Sequence, residues 1–380
     1  MEFRDLKQQY QILKKEIDQA VLDVMSSATF IGGDPVTKLE QELAAYVGVK
    51  HCISCGNGTD AMSLVLTAWD IGPGDAVFVP DFTFFATAEV VGYCGATPIF
   101  VDVKKETFNI DTEDLIQAIE EVNRKGKLKP RAIIPVDLFG LPADYPAIEK
   151  IARKYNLQVL SDSAQGFGGS IDGKKAGSFG DVATTSFFPA KPLGCYGDGG
   201  AIFTNNSDLA ALLNSLKVHG KGSYKYDNVR IGVNSRLDTI QAAILRVKLQ
   251  AFQDYELAAV NQVADLYRQA LDDEFRTPQV PESYESSYAQ FTLILDSSAE
   301  REFIQHQLKE KDIPTMIYYP IPLHQQMAFS ALSLPERALN NTKELCQTVL
   351  SIPMHPYLKE ADLTLISETL IESKRSFVIK

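Results

Sequence analysis

The chain has 380 residues, 45% of them hydrophobic and 23% charged, with a formal net charge of −12. This composition is that of a globular chain able to bury a sizeable core and to form two or three domains, or one large and one small. Its acidity argues against nucleic acid as a partner, and no apolar run reaches the roughly 18 residues of a membrane span. The opening Met1-Glu-Phe-Arg-Asp5 is no signal peptide, so the expected location is the cytoplasm.

Residues 6–25 read as an amphipathic helix leading to a turn at Ile31-Gly-Gly33. Between His51 and Phe203, apolar strand-like runs alternate with helical patterns. The runs are residues 51–55, 76–80, 97–103, 132–136, 157–162, 184–188 and 201–204, and the helices 60–69, 86–94, 112–123 and 145–155. Such strands imply a mostly parallel sheet covered on both faces. A helical stretch over 236–271 follows, then a proline-rich break at 278–281. The remainder reads as strand 288–295, helix 299–309, strand 315–319 and two more helices. The expected organisation is a large α/β domain over residues 1–250 and a smaller α/β domain over 251–380.

Ligands of such sheets bind at the carboxyl ends of strands, which selects the loops after Cys55, Pro80, Asp162 and Phe188. Lys191 stands in Ser186-Phe-Phe-Pro-Ala-Lys191-Pro-Leu-Gly, among apolar neighbours that disfavour its ammonium form. A neutral amine is a nucleophile toward aldehydes, whereas a lysine in a turn is otherwise a surface cation. Asp162 ends one strand and would point into the crevice or cap the next helix. Asp81, Asp102 and Asp137 occupy similar places, so position alone does not select it.

Gly56-Asn-Gly58-Thr59-Asp60-Ala61 opens a helix and suits an anion. It also matches a dinucleotide fingerprint, without the acidic residue at the end of the next strand. A plain helix cap by Thr59 or Asp60 is the alternative. Phe82-Thr-Phe84-Phe85 offers an aromatic to a planar ring, or simply a core residue. Five cysteines form no disulfide framework. Cys52-Ile-Ser-Cys55 lacks the second pair a zinc site needs; the readings left are a redox dithiol or a buried strand. No metal site is expected.

A lysine for an aldehyde, a carboxylate for a ring nitrogen, a phosphate cradle and a ring cover together suit pyridoxal 5'-phosphate. In the order Asn57-Gly-Thr-Asp-Ala61, Thr83-Phe84, Asp162-Ser-Ala-Gln165, Ser186-Phe-Phe-Pro-Ala-Lys191, Gly232-Val-Asn-Ser-Arg236-Leu-Asp238 and Tyr319-Pro-Ile-Pro-Leu-His324, the chain resembles the DegT/DnrJ/EryC1/StrS sugar aminotransferases. The resemblance implies the fold type I architecture of pyridoxal-phosphate enzymes. It implies that Lys191 bonds the cofactor, Asp162 pairs with its ring nitrogen, Gln165 contacts the hydroxyl side and Phe84 stacks on the ring. Gly58, Thr59 and Ser186 would hold the phosphate. Asn234 would reach the phosphate of a neighbouring subunit, which implies a homodimer.

One branch of the family is matched most closely. It aminates the 3-keto group of UDP-2-acetamido-2-deoxy-3-oxo-glucuronate with L-glutamate as donor, for bacterial surface polysaccharide such as lipopolysaccharide O-antigen. Arg236 would then meet the sugar carboxylate, and Tyr318, Tyr319 and His324 would lie at the substrate. Ala190, Tyr318 and His324 depart from that branch's pattern near the sugar site. Other keto-sugar nucleotides and a non-catalytic cofactor-binding role are the alternatives. Family dehydratases carry histidine in place of the lysine, and Lys191 argues against them.

Overall fold

The computed structural model describes residues 1–224, 226–330, 332 and 337–378. Helices α1 (Leu6–Ser27) and α2 (Asp34–Val47) precede β1 (His51–Cys55). Helix α2 escapes the sequence reading, although Gly33 and Gly48, both at positive φ, bracket it. The chain continues through α3 (Gly58–Ala68), β2 (Asp75–Pro80), α4 (Ala86–Tyr93), β3 (Thr97–Val101), α5 (Thr112–Lys125), β4 (Lys129–Ile133), α6 (Tyr145–Tyr155) and β5 (Gln158–Asp162). Two short strands, β6 (Ser170–Ile171) and β7 (Lys174–Lys175), come before β8 (Val182–Ser186) and β9 (Gly200–Thr204).

The seven-stranded sheet runs in the order β1-β9-β8-β5-β4-β2-β3. Strands β3, β2, β4, β5 and β8 are parallel neighbours, and β9 is antiparallel to both β8 and β1. The sheet is therefore mixed but mostly parallel, as expected. Alternate residues feed opposite cores. Val77, Val79 and Leu160 pack with Val65 of α3 and Val90 of α4. Phe78 and Val159 pack with Leu115 of α5 and Ile148 of α6.

Several strand limits differ from the expected ones. The strand expected at 132–136 is β4 at Lys129–Ile133, because Pro135 has no N–H for the ladder. Past it, only a single bridge joins Val136 to Asp162. Likewise, the run at 184–188 shifts to Val182–Ser186, since Phe187 donates instead to the Gly199 carbonyl at 2.7 Å.

Beyond β9 come α7 (Ser207–Leu216), α8 (Thr239–Ala251), a π-helical turn at Phe252–Glu256 and α9 (Leu257–Leu271). Helix α8 packs under α1 through Leu13, Ile17, Ile244 and Ala251. The rest holds β10 (Tyr284–Glu285), β11 (Phe291–Ile294), α10 (Ser298–Glu310), α11 (Asn340–Thr348), β12 (Val349–Ile352) and α12 (Glu360–Val378). Strands β11 and β12 form an antiparallel pair. They share a core with α9, α10 and α12 that includes Tyr267, Phe291, Ile304, Leu350 and Ile366. The strand expected at 315–319 does not form. Pro314 and Pro320 flank it, and Met316 makes one bridge to Ser351.

Candidate active site

The carboxyl ends of β5 and β8, neighbours in the sheet, open into a cleft of about 780 Å³. Nine of the expected site residues line it: Gly58, Thr59, Phe84, Asp162, Gln165, Ser186, Lys191, Tyr318 and Tyr319. Three do not: Asn234, Arg236 and His324.

Asp162 ends β5 and is buried. Its Oδ2 accepts from Thr87 Oγ1 at 3.0 Å, and its Oδ1 from the Ala164 N–H at 3.2 Å. Burial pushes its carboxyl above the ordinary value, while those hydrogen bonds and the Lys191 charge pull the other way. Thr87 was not anticipated. It lies in the first turn of α4, three residues after Phe84, so the helical period could have aimed it at the cleft.

Lys191 sits in the turn after β8, its N–H donating to the Phe188 carbonyl at 2.8 Å. Desolvation holds its amine below the usual lysine range, with Asp162 opposing and Arg4 reinforcing the shift. A half-buried lysine and a buried carboxylate thus share one wall. Among the described residues the cleft lining includes no other cation.

The Gln165 side chain accepts from the Phe139 N–H at 2.8 Å and donates to Tyr319 Oη at 3.1 Å. Tyr319 in turn stands 6.4 Å, centroid to centroid, from Phe84, whose ring is 55% exposed. Phe84 at the cleft mouth therefore fills no core.

Asn57, not Thr59 or Asp60, caps α3, its Oδ1 accepting from the Asp60 N–H at 2.7 Å. The first intrahelical bond runs from the Ala61 N–H to the Asn57 carbonyl, so the N–H groups of Gly58 and Thr59 precede it at the cleft wall. A Cβ on Gly58 would stand 2.8 Å from Ser186 Cβ, and one on Gly200 2.5 Å from the Asn57 carbonyl carbon. Only glycine lets the α3 terminus and the β8–β9 end approach this closely. Ser235 locks the arrangement: its Oγ accepts from the Gly56 N–H at 2.9 Å and donates to Asp60 Oδ2 at 2.6 Å.

Asn234 and Arg236 flank Ser235 but are exposed, on a hairpin joined by a bridge between Val218 and Asn234. His324 turns away from the cleft. Its Nδ1 lies 2.6 Å from Asp81 Oδ2 and its N–H donates to Asp81 Oδ1 at 2.8 Å, which clamps the 320–326 loop to the end of β2. The clamp gives buried Asp81 its partner. Asp60 also lines the cleft, as do Asp198, Gln290 and Gln326, which the sequence reading does not single out.

The cysteine pair resolves by strand geometry. Cys52 and Cys55 fall on opposite faces of β1 and join different cores, and burial raises both thiols, Cys55 to about 12. Among the described residues no group of three or more His, Cys, Asp or Glu is placed to hold a metal ion, and no helix is long and apolar enough to cross a membrane.

A lysine amine, a strand-end carboxylate, an anion cradle at a helix start and an exposed ring together define a pyridoxal-phosphate site of fold type I. Residues 11–371 match the model of the DegT/DnrJ/EryC1/StrS aminotransferase family, and the chain belongs to that family. It is 45% identical over 372 residues to the UDP-2-acetamido-2-deoxy-3-oxo-D-glucuronate aminotransferase of Pseudomonas aeruginosa, covering 97% of this chain and 99% of that one. Among solved structures it is similar to a DegT DnrJ EryC1 StrS aminotransferase from Brucella abortus, with TM-score 0.95, 46% identity and 98% and 99% of the two chains covered. NtdA from Bacillus subtilis, solved with bound cofactor PMP, aligns with TM-score 0.85 and 28% identity over 96% of this chain and 82% of that one. The protein is a pyridoxal-phosphate-dependent sugar aminotransferase, and the Gly58–Ser186 cradle fits the cofactor's phosphate.

Proposed function

We propose that the protein moves the amino group of L-glutamate to the 3-keto group of UDP-2-acetamido-2-deoxy-3-oxo-glucuronate, producing a precursor of diaminouronic acids in bacterial surface polysaccharide. The observation that carries this reading is the pairing of Lys191 and Asp162 on one cleft wall, at the ends of adjacent strands, in a chain 45% identical to an enzyme so named.

Pyridoxal phosphate, when bound, supplies an electrophilic aldehyde and an electron sink. The residues do the rest. Lys191 Nζ, its ammonium form disfavoured by burial relative to an ordinary lysine, would be the nucleophile and then the base that takes and returns a proton. Asp162, oriented by Thr87 and the Ala164 N–H, faces the cofactor's ring nitrogen. Gln165, fixed by Phe139 and Tyr319, meets the hydroxyl side, and Phe84 covers the ring and excludes water. Gly58, Thr59 and Ser186 hold the phosphate.

The substrates bring two carboxylates from glutamate, one from the sugar and a diphosphate, yet among the described residues Lys191 is the only cation in the lining. The missing charge comes from a second copy of the chain. In this reading Asn234 and Arg236, exposed on their hairpin, act across a homodimer: Asn234 on the neighbour's phosphate and Arg236, by a bidentate fork, on the sugar carboxylate. Tyr318 and Tyr319 border the sugar. The test offers the enzyme L-glutamate with the 3-keto uronate, with its counterpart lacking the carboxylate, and with 4-keto sugars. Mass spectrometry of the nucleotide product should show amination of the 3-keto uronate first. Preference for a sugar without the carboxylate would refute the assignment.

A further inference from the structure

The segment ahead of α1 crosses behind the Lys191 turn. The Met354 N–H donates to the Phe3 carbonyl at 3.2 Å, which ties this segment to the chain following β12. The Phe3 ring packs edge-on against Tyr318 of the cleft lining, at 6.3 Å between centroids. Between these anchors, Arg4 Nη2 donates to the Lys191 carbonyl at 2.8 Å and to the Pro192 carbonyl at 3.3 Å. Asp5 then caps α1 by accepting from the Gln8 N–H at 2.8 Å.

The Lys191 turn is thus held from two sides. Its own hydrogen bond to Phe188 closes it from within, and a guanidinium grips two successive carbonyls from without. Arg4 occupies an unusual setting for a residue that would serve only to fasten a terminus. Burial pushes its guanidinium down to about 10, opposed by Glu256 and Tyr357. Glu256 is itself occupied, accepting from Gln9 Nε2 at 2.8 Å and from the Tyr357 hydroxyl. Lys248 and His355 are the other titratable groups that feel Arg4, and Lys191 faces Asp162 besides. A desolvated cation is costly unless its donors are used, and here two are spent on the backbone that carries the reactive amine.

We propose that Arg4 is a positioning residue for amino transfer: by gripping the Lys191 and Pro192 carbonyls it aims the Lys191 side chain into the cleft. This rests on the reading of Lys191 as the amine that bonds the cofactor. Arg4 contributes charge as well as geometry, since a cation behind the turn disfavours a second cation at Lys191 Nζ.

The test compares full-length wild type, Arg4→Met and Arg4→Lys. Before cofactor is added, trace acetylation with acetic anhydride across pH, read at Lys191 by mass spectrometry, gives the pH at which the amine becomes reactive. With cofactor present, kcat and KM for glutamate are measured, and thermal midpoints are recorded for all three. Arg4→Met should become reactive only at higher pH, because losing a cation favours the ammonium form. Its kcat should fall about 10- to 100-fold, the cost of a misplaced reacting group, with a smaller change in KM. Arg4→Lys should restore the labelling pH but only part of kcat, since an ammonium lacks the planar fork. Wild-type labelling and kcat in Arg4→Met would overturn the proposal. So would a kcat loss that follows the thermal midpoint while labelling stays unchanged, which would leave Arg4 a purely structural role. If wild type bound no pyridoxal phosphate, the reading of Lys191 would fall separately, and the labelling profiles would still decide whether Arg4 controls the amine.

Discussion

Thr87→Val removes one hydroxyl at the heart of the site, whose oxygen also lies 3.3 Å from Thr83 Oγ1. The replacement keeps the branched shape and removes only the hydroxyl that donates to Asp162 Oδ2 at 3.0 Å in a buried setting. A hydrogen bond to a charged group is worth about 1.5–3 kcal/mol, and a neutral one about 0.5–1.5. Burial has already raised the Asp162 pKa, and the variant raises it further by deleting a bond that favours the carboxylate. A carboxyl whose folded pKa lies above its unfolded value supports the fold below the unfolded pKa and loses that support as pH rises through the folded pKa. The variant should therefore be less stable than wild type by about 1.5–3 kcal/mol on the alkaline side of the Asp162 titration, where the carboxyl is ionised. The gap should narrow toward the neutral-bond value as the pH falls and the carboxyl protonates. Urea unfolding of the cofactor-free chain at a series of pH values measures it, and cofactor affinity should weaken in parallel, about tenfold for each 1.4 kcal/mol. A penalty independent of pH would refute the reasoning, because the hydroxyl would then not be bonded to an ionised Asp162.

Other predictions follow from the same geometry. His324→Ala strips Asp81 of its imidazole and leaves a buried carboxylate with one backbone partner, at a cost of about 3 kcal/mol. Because burial already raises the Asp81 pKa, that loss should be larger at alkaline than at acid pH in thermal unfolding, and a loss equal at both would contradict it. Lys191→Ala and Asn234→Asp should each abolish turnover. If the chain pairs as the proposed homodimer, the two mixed and re-equilibrated should recover about a quarter of wild-type activity, since half the dimers would be hybrids with one intact site. No recovery would place Asn234 at its own chain's cleft.

What the sequence reveals of this site follows a physical pattern. Asp162 at the end of β5, Ser186 at the end of β8 and Lys191 in the turn that follows reach one crevice by sheet geometry, although strand-end position alone leaves Asp162 level with Asp81, Asp102 and Asp137 until the family resemblance selects it. Gly58 is legible too, but its reason is not: the need for glycine comes from Ser186, which is distant in sequence. Thr87 and Arg4 act through contacts across 75 and 187 residues of chain, and no local pattern announces such partners. The His324 motif lies beside the cleft, and its bond to Asp81, 243 residues away, is likewise invisible to any local pattern. At the level of fold, the alternation of apolar runs carries the large sheet. It fails where proline decides, as at Pro135, Pro314 and Pro320, and for β12, a four-residue strand that follows directly on α11.

The central claim is that Lys191 is the amine that bonds pyridoxal phosphate and passes its proton during exchange with glutamate. An absorbance spectrum of the purified protein with the cofactor, before and after L-glutamate, tests it most directly. The account predicts a visible band in wild type that is lost as the cofactor is converted to its amine form, and no such protein-bound band in Lys191→Ala. The same band in Lys191→Ala, or a wild-type band that glutamate leaves unmoved, would contradict it.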